Sequence, residues 1–339
     1  MRRDYRCAPR GFRAAAALAL AAALTTAPGL AQAKTPSHVH QSAVELTIIA
    51  QKLLRADFAT ETVPAAPPAD MNRRPRHVYA KLRRIADQIA ALRRLNGLPS
   101  TPSLPRLAKD ITPADVFAAV ATVREAMEQL AVLYGVDVLD VAAPFKEGKT
   151  PGDVYATLNA LAALLSQGYT PAVVPNDVYA LATALETETE ALAGRLAPHR
   201  AGAPADAPGV DASGVDASGV DASGVDATTP RGETPADALR AVTAYAAALA
   251  ALAARETDLA PAGGVSAPTQ PTGPARPADV FNALSLTLAD ATAMRVKAGL
   301  TGPAAPLAQA VGKTPSDVFA RIEAARRALE SAAPSSSSN

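Results

Sequence analysis

The sequence has almost no thiol chemistry and few large aromatic side chains. It contains one cysteine, Cys7, no tryptophan and four histidines among 339 residues. A lone cysteine excludes a disulfide within the chain, a cysteine-rich zinc site and haem attachment through a Cys-x-x-Cys-His motif. The fold must therefore be held by packing and hydrogen bonds. Alanine, which buries little area per residue, dominates the apolar content, so the helices must pack closely.

The sequence also lacks the short motifs of common catalytic sites. It has no Gly-x-Ser-x-Gly elbow and no His-Glu-x-x-His pair. His38 and His40 are two residues apart, a spacing that does not place them on one face of a helix, and no carboxylate cluster joins them. Gly148-Lys149-Thr150 resembles the end of a phosphate-binding loop, but the required preceding glycine is replaced by Ala143. We predict no catalytic residue, no cofactor and no metal ligand, and an enzyme is the least favoured class.

The N-terminal segment has the layout of a secretory signal peptide. A basic start contains five arginines, namely Arg2, Arg3, Arg6, Arg10 and Arg13, and an apolar run follows from residue 14 to residue 24. That run is shorter than the roughly 20 residues that a membrane helix needs, and small residues near Ala33 supply a cleavage site. We therefore expect a signal peptide over 1–33, a periplasmic or secreted mature chain and no transmembrane segment in it.

Net charge argues against nucleic acid as a partner. Removal of five arginines and one aspartate with the signal peptide lowers the formal net charge from +1 to −3. A nearly neutral chain lacks the electrostatic footprint of a dedicated nucleic-acid binder.

One local cluster of cations stands out against this balance. Its members are Arg73, Arg74, Arg76, Lys81, Arg83, Arg84, Arg93 and Arg94. One interpretation is a solvated helix face whose arginine stems cover apolar neighbours. The other is a contact for an anionic envelope component, such as phospholipid headgroups or lipopolysaccharide, or for an acidic partner protein.

A six-residue block recurs as a helix-start signal. Thr112-Pro113-Ala114-Asp115-Val116-Phe117 returns at residues 150–155 and 314–319, and looser copies begin at residues 35, 74, 174, 234 and 276. Threonine suits the N-cap, proline suits the first helical position, and an aspartate three residues after the cap completes a capping box. The predicted helix caps are Thr112, Asp115, Thr150, Asp153, Thr314 and Asp317. Histidine replaces the aspartate at His38 and His77, so we expect those two helices to be capped less well.

The residue that ends the block is aromatic in most copies. Six of the eleven aromatic residues beyond residue 33 occupy this register: Tyr79, Phe117, Tyr155, Tyr179, Phe281 and Phe319. This concentration favours a shared packing environment over an array for stacking ligands.

The spacing of the block prolines bears on helix direction. Most steps lie near 38 residues, which allows a helix of about 22 residues and a connector long enough to run back beside it, so that consecutive helices are parallel. The 24-residue step from Pro151 to Pro175 has no room for such a return and predicts a hairpin of the fourth and fifth helices. Pro105, Pro144 and Pro306 are each followed within two residues by an apolar residue, which we expect to anchor the connector: Leu107, Phe145 and Leu307.

Residues 201–232 differ in kind. A Gly-Val-Asp-Ala-Ser unit repeats four times within a stretch rich in small residues, which is typical of a flexible linker; its five-residue step does not fit the nine-residue calcium repeats. The sequence therefore predicts an all-α fold, a helical repeat or bundle of about eight helices with proline-rich connectors, in two halves joined by a disordered linker. The expected domains are 34–200 and 233–332, with a disordered tail at 333–339.

This organisation favours a binding protein. Repeated helices without a catalytic constellation predict a non-enzymatic interaction scaffold for an unknown protein or an anionic envelope component. The alternative is a periplasmic carrier of a small apolar ligand or lipid, bound in gaps between alanine-rich helices.

Overall fold

The described part of the chain contains eight α-helices, each of which begins at a proline. The computed structural model describes residues 34–56, 64–100, 103–167, 172–196, 232–307 and 309–332, and these ranges contain no strand. The helices are α1 (Pro36–Ala56), α2 (Pro75–Leu95), α3 (Pro113–Leu133), α4 (Pro151–Leu165), α5 (Pro175–Leu196), α6 (Pro235–Arg255), α7 (Pro277–Lys297) and α8 (Pro315–Ala332). The predicted all-α fold and helix number are confirmed. The predicted signal peptide and tail, and the predicted linker through residue 231, lie outside the described residues.

The threonine and aspartate of the block form reciprocal hydrogen bonds at the start of a helix. At α4, Asp153 N donates to Thr150 Oγ1 over 3.2 Å, and Thr150 N donates to Asp153 Oδ2 over 2.9 Å. The same pair of bonds closes the start of three further helices, in Thr112–Asp115, Thr234–Asp237 and Thr314–Asp317. Each box satisfies donors that a helix end leaves without partners.

Histidine takes over one half of this box in the first two helices. Thr35 N donates to His38 Nδ1 over 3.2 Å, and Arg74 N donates to His77 Nδ1 over 3.1 Å. The prediction of weaker capping did not take into account that the ring nitrogen of histidine can accept the hydrogen bond that the aspartate accepts in the other copies.

The helices form two bundles, each with its own core. In the first bundle, α1 and α2 each pack against both α3 and α4, but not against one another. In the second, α5 and α6 each pack against both α7 and α8. The aromatic residues of the block do not share one pocket. The valines one position earlier lie inside the cores. Tyr79, Tyr155 and Phe281 are buried core residues as well, whereas Phe117, Tyr179 and Phe319 are partly buried. Four of the six rings contact lysine or arginine side chains.

All four helices run in the same direction within each bundle. The first prolines of α5, α6, α7 and α8 surround one small space together with the residues three positions later, so the four N-termini meet at one end. In the first bundle, Lys149 N donates to Ser37 Oγ at the starts of α4 and α1, and Tyr134 Oη donates to Asn96 Oδ1 at the ends of α3 and α2. Lys52 Nζ, near the end of α1, donates to Asp137 O just after the end of α3, which relates the two pairs. Connectors that return along the bundle make this arrangement possible.

Helix α5 belongs to the second bundle. The sequence analysis grouped it with residues 34–200, but its buried stripe, which includes Leu181, Leu185 and Leu192, lies in the same core as α6, α7 and α8. The predicted hairpin of α4 and α5 is wrong, because these helices do not pack against each other. The 24-residue step instead carries the chain from one bundle to the next, and residues 201–232 fall within the second bundle's sequence.

The connectors are anchored by other residues than expected. Phe145 and Leu307 are largely exposed, at 45% and 38%. Leu104 and Val141 are the buried anchors of their connectors and join the first core, where Leu107 is only partly buried. The apolar residue before the proline, rather than the one after it, therefore makes the principal contact.

Of the helices in the described ranges, only α6 is long and apolar enough to cross a membrane, judged by length and composition alone. Half of that stretch is buried inside the second bundle, where Tyr245 and Leu249 are fully buried.

The two bundles meet through α2 and α7, which are antiparallel. Arg76, near the start of α2, contacts Asp290 in the second half of α7, whereas Lys81, further along α2, contacts Asn282 near the start of α7. This contact positions the charged residues that the sequence singled out.

Candidate functional site

The basic cluster of α2 is not one exposed face. Four of its cations are buried: Arg73, Arg76, Lys81 and Arg93. Arg74, Arg83 and Arg84 are partly buried, and Arg94 is exposed. The structure thus distributes the eight predicted contact residues over the interior, the rim and the surface, because α2 lies between its own bundle and α7.

A buried hydrogen-bond network joins α2 to α7 around Asp290. The carboxylate has no solvent exposure; it accepts hydrogen bonds from Arg76 Nε at 2.6 Å, His77 Nε2 at 2.7 Å and Ser266 N at 2.8 Å. Arg76 also donates to the carbonyl oxygens of Ala262 and Gly264. Each of the three guanidinium nitrogens donates to a protein oxygen, so Arg76 holds the bundles together and has little left for a ligand.

His77 is a neutral member of this network. Its Nδ1 accepts from the backbone of Arg74, so the ring proton lies on Nε2 and is donated to Asp290. Burial lowers the pKa of His77, and the hydrogen bond to Asp290 opposes this only in part. Burial raises the pKa of Asp290, but the hydrogen bond from His77 and the charge of Arg76 outweigh it and leave that pKa below its ordinary value.

A second cluster of buried charge involves Glu188 of α5. Its side chain accepts from Arg106 Nη2 at 3.1 Å and from Ala305 N at 2.9 Å, and Arg295 Nε lies 2.6 Å from its Oε2. Glu188 and its neighbour Thr189 are both buried.

A cavity of about 420 Å³ lies between α2 and α7, and we call it the first cavity. Arg76, Tyr79, Ala80, Arg83, Arg84 and Asp87 line it from α2; Phe281, Ser285, Leu288, Ala289 and Thr292 line it from α7. These positions recur every three or four residues, so each helix contributes a single face. Leu107, Ile111 and Leu181 add further apolar wall. Volume and lining are typical of a small-molecule site.

Arg84 is the unengaged cation of the first cavity. Its guanidinium lies 5.0 Å from the ring centroid of Phe281 and makes no hydrogen bond with any residue in the described ranges. By contrast, Arg83 Nε donates to Leu104 O, and Arg106 donates to Glu188 and Thr292. Burial lowers the pKa of Arg84, but the group remains a cation at neutral pH. A guanidinium stacked on an aromatic ring with open N–H donors can receive a carboxylate or a phosphate.

Arg74 adds a second open donor at the edge of the first cavity. Its Nε is buried and pairs with no group of the described chain. The guanidinium lies so close to Gly263 that a Cβ there would be 1.9 Å from Nε, and the φ of Gly263 is +75°. Glycine at this position is what allows the arginine to reach the cavity.

Two carboxylates, Asp87 and Asp110, also line the first cavity. Burial raises the pKa of Asp87, although the charges of Arg83 and Arg84 oppose the shift. Cations still outnumber carboxylates around the space, so its electrostatic potential favours an anion.

A cavity of about 410 Å³, the second cavity, lies on the other side of the α2–α7 contact. Its lining includes Lys81, Gln88, Tyr155 and Asn282. Lys81 Nζ lies 5.4 Å from the ring centroid of Tyr155, and Arg73 lies 5.1 Å from the same centroid. Sequence reasoning identified the two cations but not the ring of Tyr155 or the amide of Asn282 beside them, because these two residues come from α4 and α7.

None of these sites resembles a metal centre. Within the described ranges, no group of three or more histidine, cysteine, aspartate or glutamate residues is placed to hold a metal ion. Comparisons of the chain with protein-family models, with curated proteins and with solved structures find no match.

Proposed function

We propose that the protein is an exported, non-enzymatic carrier that binds a small organic anion with an apolar body in the first cavity. The observation that carries this proposal is the open guanidinium of Arg84, stacked on Phe281 in a cavity with apolar walls. The anionic head lies against Arg84 and Arg74, and the apolar body lies against Tyr79, Leu181 and Leu288.

This ligand class combines the two interpretations drawn from the sequence. The basic cluster favoured an anionic contact, and the alanine-rich helices favoured an apolar ligand. A purely apolar ligand would leave the guanidinium of Arg84 without a hydrogen-bonding partner, and a bare anion would leave the apolar walls in contact with water. A fatty acid or another amphiphilic carboxylate satisfies both.

Fluorescence titration with a dansylated medium-chain fatty acid tests the proposal, and its methyl ester serves as the uncharged probe. We expect the acid to bind and the ester to bind at least tenfold more weakly, because a hydrogen bond to a charged group contributes about 1.5–3 kcal/mol. Arg84→Gln should weaken binding of the acid by a similar factor. Arg94→Gln is the matched control, since Arg94 lies on the same helix but is exposed and outside the cavity.

Equal affinity for the acid and the ester, or equal effects of the two substitutions, would contradict a charge-selective site. Mass spectrometry of ligands that co-purify with the protein provides an independent check. A protein that binds neither probe and purifies empty would remove the support for a carrier.

A second candidate is the interaction scaffold, favoured by exposed apolar side chains at the C-terminal end of the first bundle. Leu95, Val132 and Leu139 are 66%, 77% and 92% exposed. The ends of α2 and α3 are adjacent there, joined by the Tyr134–Asn96 hydrogen bond of 3.0 Å. A pull-down from envelope extracts should retain a protein partner that the Leu95→Ser, Val132→Ser variant loses. Retention of the same partner by both proteins would argue against this surface.

A further inference from the structure

The second cavity is built around one buried amine. The side chain of Lys81 is 6% exposed, and its Nζ donates to Asn282 Oδ1 over 2.9 Å. Its other close neighbour is the ring of Tyr155. No carboxylate in the described ranges forms an ion pair with it. A lysine that borders a cavity of about 410 Å³ without a counter-charge is unusual, because buried ammonium groups are normally paired.

The charges that face Lys81 also disfavour its ammonium form. Arg84 borders the same cavity, and Arg73 lies over the same tyrosine ring. Asp279 is the one carboxylate among the described residues that line the second cavity, but its Oδ2 accepts a hydrogen bond from Arg276 N at the start of α7. Burial, followed by the charges of Arg84 and Arg73, lowers the pKa of Lys81 to about 7.

The same cavity contains an unused acceptor. Gln88 is 4% exposed; its Nε2 donates to Ala162 O over 3.2 Å and to Ser166 Oγ over 3.0 Å, which assigns the amide orientation. Its Oε1 accepts from no group of the described chain. Gln88 follows Lys81 by seven residues, about two helical turns, so both side chains lie on one face of α2.

The rest of the lining combines apolar residues with five neutral hydrogen-bonding side chains. Asn159, Ser166, Thr269, Gln270 and Asn282 border the second cavity, alongside the rings of Tyr155 and Phe281. Amides, hydroxyls and aromatic rings suit a small hydroxylated molecule, whose hydroxyl groups both donate and accept. A hydroxyl that donates to Gln88 Oε1 would satisfy a buried acceptor that pairs with no group of the described chain.

We propose that Lys81 forms an imine with a small hydroxylated carbonyl compound, such as a short-chain hydroxyaldehyde, in the second cavity. The lone pair of neutral Nζ attacks the carbonyl carbon, a C–N bond forms, and the carbonyl oxygen takes up a proton. The resulting carbinolamine loses that oxygen as water, and the C=N bond replaces the C=O bond. Amine and carbonyl thus yield imine and one water, and no oxidant or reductant takes part.

This site is separate from the carrier function. It uses the second cavity, whereas the proposed anion carrier uses the first. Arg84 and Phe281 border both cavities, but Lys81 and Gln88 border only the second, so a protein that binds no fatty acid can still form the imine and the two proposals fail independently.

Reductive trapping tests the proposal on the whole purified protein. Glyceraldehyde is added near pH 7 with sodium cyanoborohydride, which reduces the imine to a stable amine, and peptide mass spectrometry follows each lysine over time. An ordinary lysine keeps only about one amine in three thousand neutral at pH 7, whereas a pKa of about 7 leaves about half neutral. We expect Lys81 to be modified at least tenfold faster than the exposed Lys109 and Lys146. Modification of Lys81 no faster than of these two would overturn the proposal.

A second probe tests recognition of the hydroxyl groups. Propionaldehyde has the reactive carbonyl but no hydroxyl. Gln88→Leu should slow the trapping of glyceraldehyde at Lys81 severalfold and leave that of propionaldehyde nearly unchanged, with circular dichroism as the check on folding. Equal slowing of both aldehydes would overturn the assignment of a hydroxyl to Gln88.

Discussion

Arg76 Nε lies 2.6 Å from Asp290 Oδ1, and this buried pair, whose members are 214 positions apart in the sequence, joins the two bundles. Taking both charges out of water is costly, and the additional donors from His77 and Ser266 offset that cost at the carboxylate. The pair therefore specifies how α2 meets α7 more than it adds to stability.

Asp290→Ala should lower the free energy of unfolding by about 3–5 kcal/mol, because it leaves the charge of Arg76 buried without its partner. Urea denaturation followed by circular dichroism measures the change. Asp140→Ala, at an exposed position, should have an effect below about 0.5 kcal/mol. The double variant Arg76→Met, Asp290→Leu should recover part of the loss, because it removes the unpaired charge but still leaves His77 Nε2 and Ser266 N without their acceptor. A double variant as unstable as Asp290→Ala would contradict the assignment of the cost to the unpaired charge.

The free energy of unfolding should rise with pH between 7 and 9 because of Lys81. The unfolded chain keeps this lysine protonated up to about pH 10.5, whereas the folded chain has already lost the proton near its pKa of about 7. The unfolded state therefore binds more protons throughout this window, and stability increases by up to about 1.4 kcal/mol per pH unit. Above pH 10 the gain should reverse, since burial raises the pKa of Tyr155 to about 12.

The matched variant for this titration is Lys81→Met, which keeps the length of the side chain and removes the amine. Urea midpoints at pH 7, 8 and 9 should rise in the wild type and stay nearly level in the variant. Parallel pH profiles of the two proteins would show that the amine of Lys81 does not titrate in this window.

Gly152→Ala should destabilise the fold, although alanine is the better helix former. A Cβ at this position would lie 2.3 Å from the backbone oxygen of Asp70, and backbone cannot yield as the end of a flexible side chain can. Gly194→Ala is the control: nothing lies within 4 Å of its Cβ, and the substitution should raise stability by about 0.5–1 kcal/mol. Thermal unfolding of both variants measures the two changes in stability, which should have opposite signs. A stabilising effect at both glycines would refute the close approach to Asp70.

Thr150→Ala should cost about 1 kcal/mol of stability, because it removes the hydroxyl that accepts from Asp153 N over 3.2 Å. Thr122 serves as the comparison, since its exposed hydroxyl only donates to Ala118 O of its own helix. Thr122→Ala should be neutral or slightly stabilising. Chemical denaturation compares the two, and equal effects would mean that the cap contributes nothing beyond ordinary helix propensity.

The features predicted from sequence are those determined within a few residues. Thr150, Pro151 and Asp153 act on one helix turn, and their pattern therefore located the starts of the helices. Glycine at position 152, where the other copies of the block have alanine, serine, arginine or asparagine, was a visible signal of a close contact, although Asp70 as its partner was not.

The features that sequence reasoning missed depend on partners far along the chain. Arg76 and Lys81 looked like members of a charged surface because Asp290 and Asn282 lie about 200 residues away. Asp290 itself had a signal, a carboxylate among the apolar residues in the second half of α7, but nothing local indicates which cation it meets. The bundle that α5 joins depends likewise on which apolar stripes pair, and proline spacing does not encode that choice.

The parallel bundles have a consequence for how the chain acquires its structure. Helices that run in the same direction cannot form local hairpins, so contacts between helices of one bundle join residues far apart in the sequence, such as Arg93 and Ala126, which are 33 positions apart. Helix α1 has no neighbour to pack against until α3 has been synthesised. Folding rates fall as the sequence separation of contacts grows, so we expect this all-helical protein to refold in milliseconds or longer, at the pace of mixed or β-rich domains.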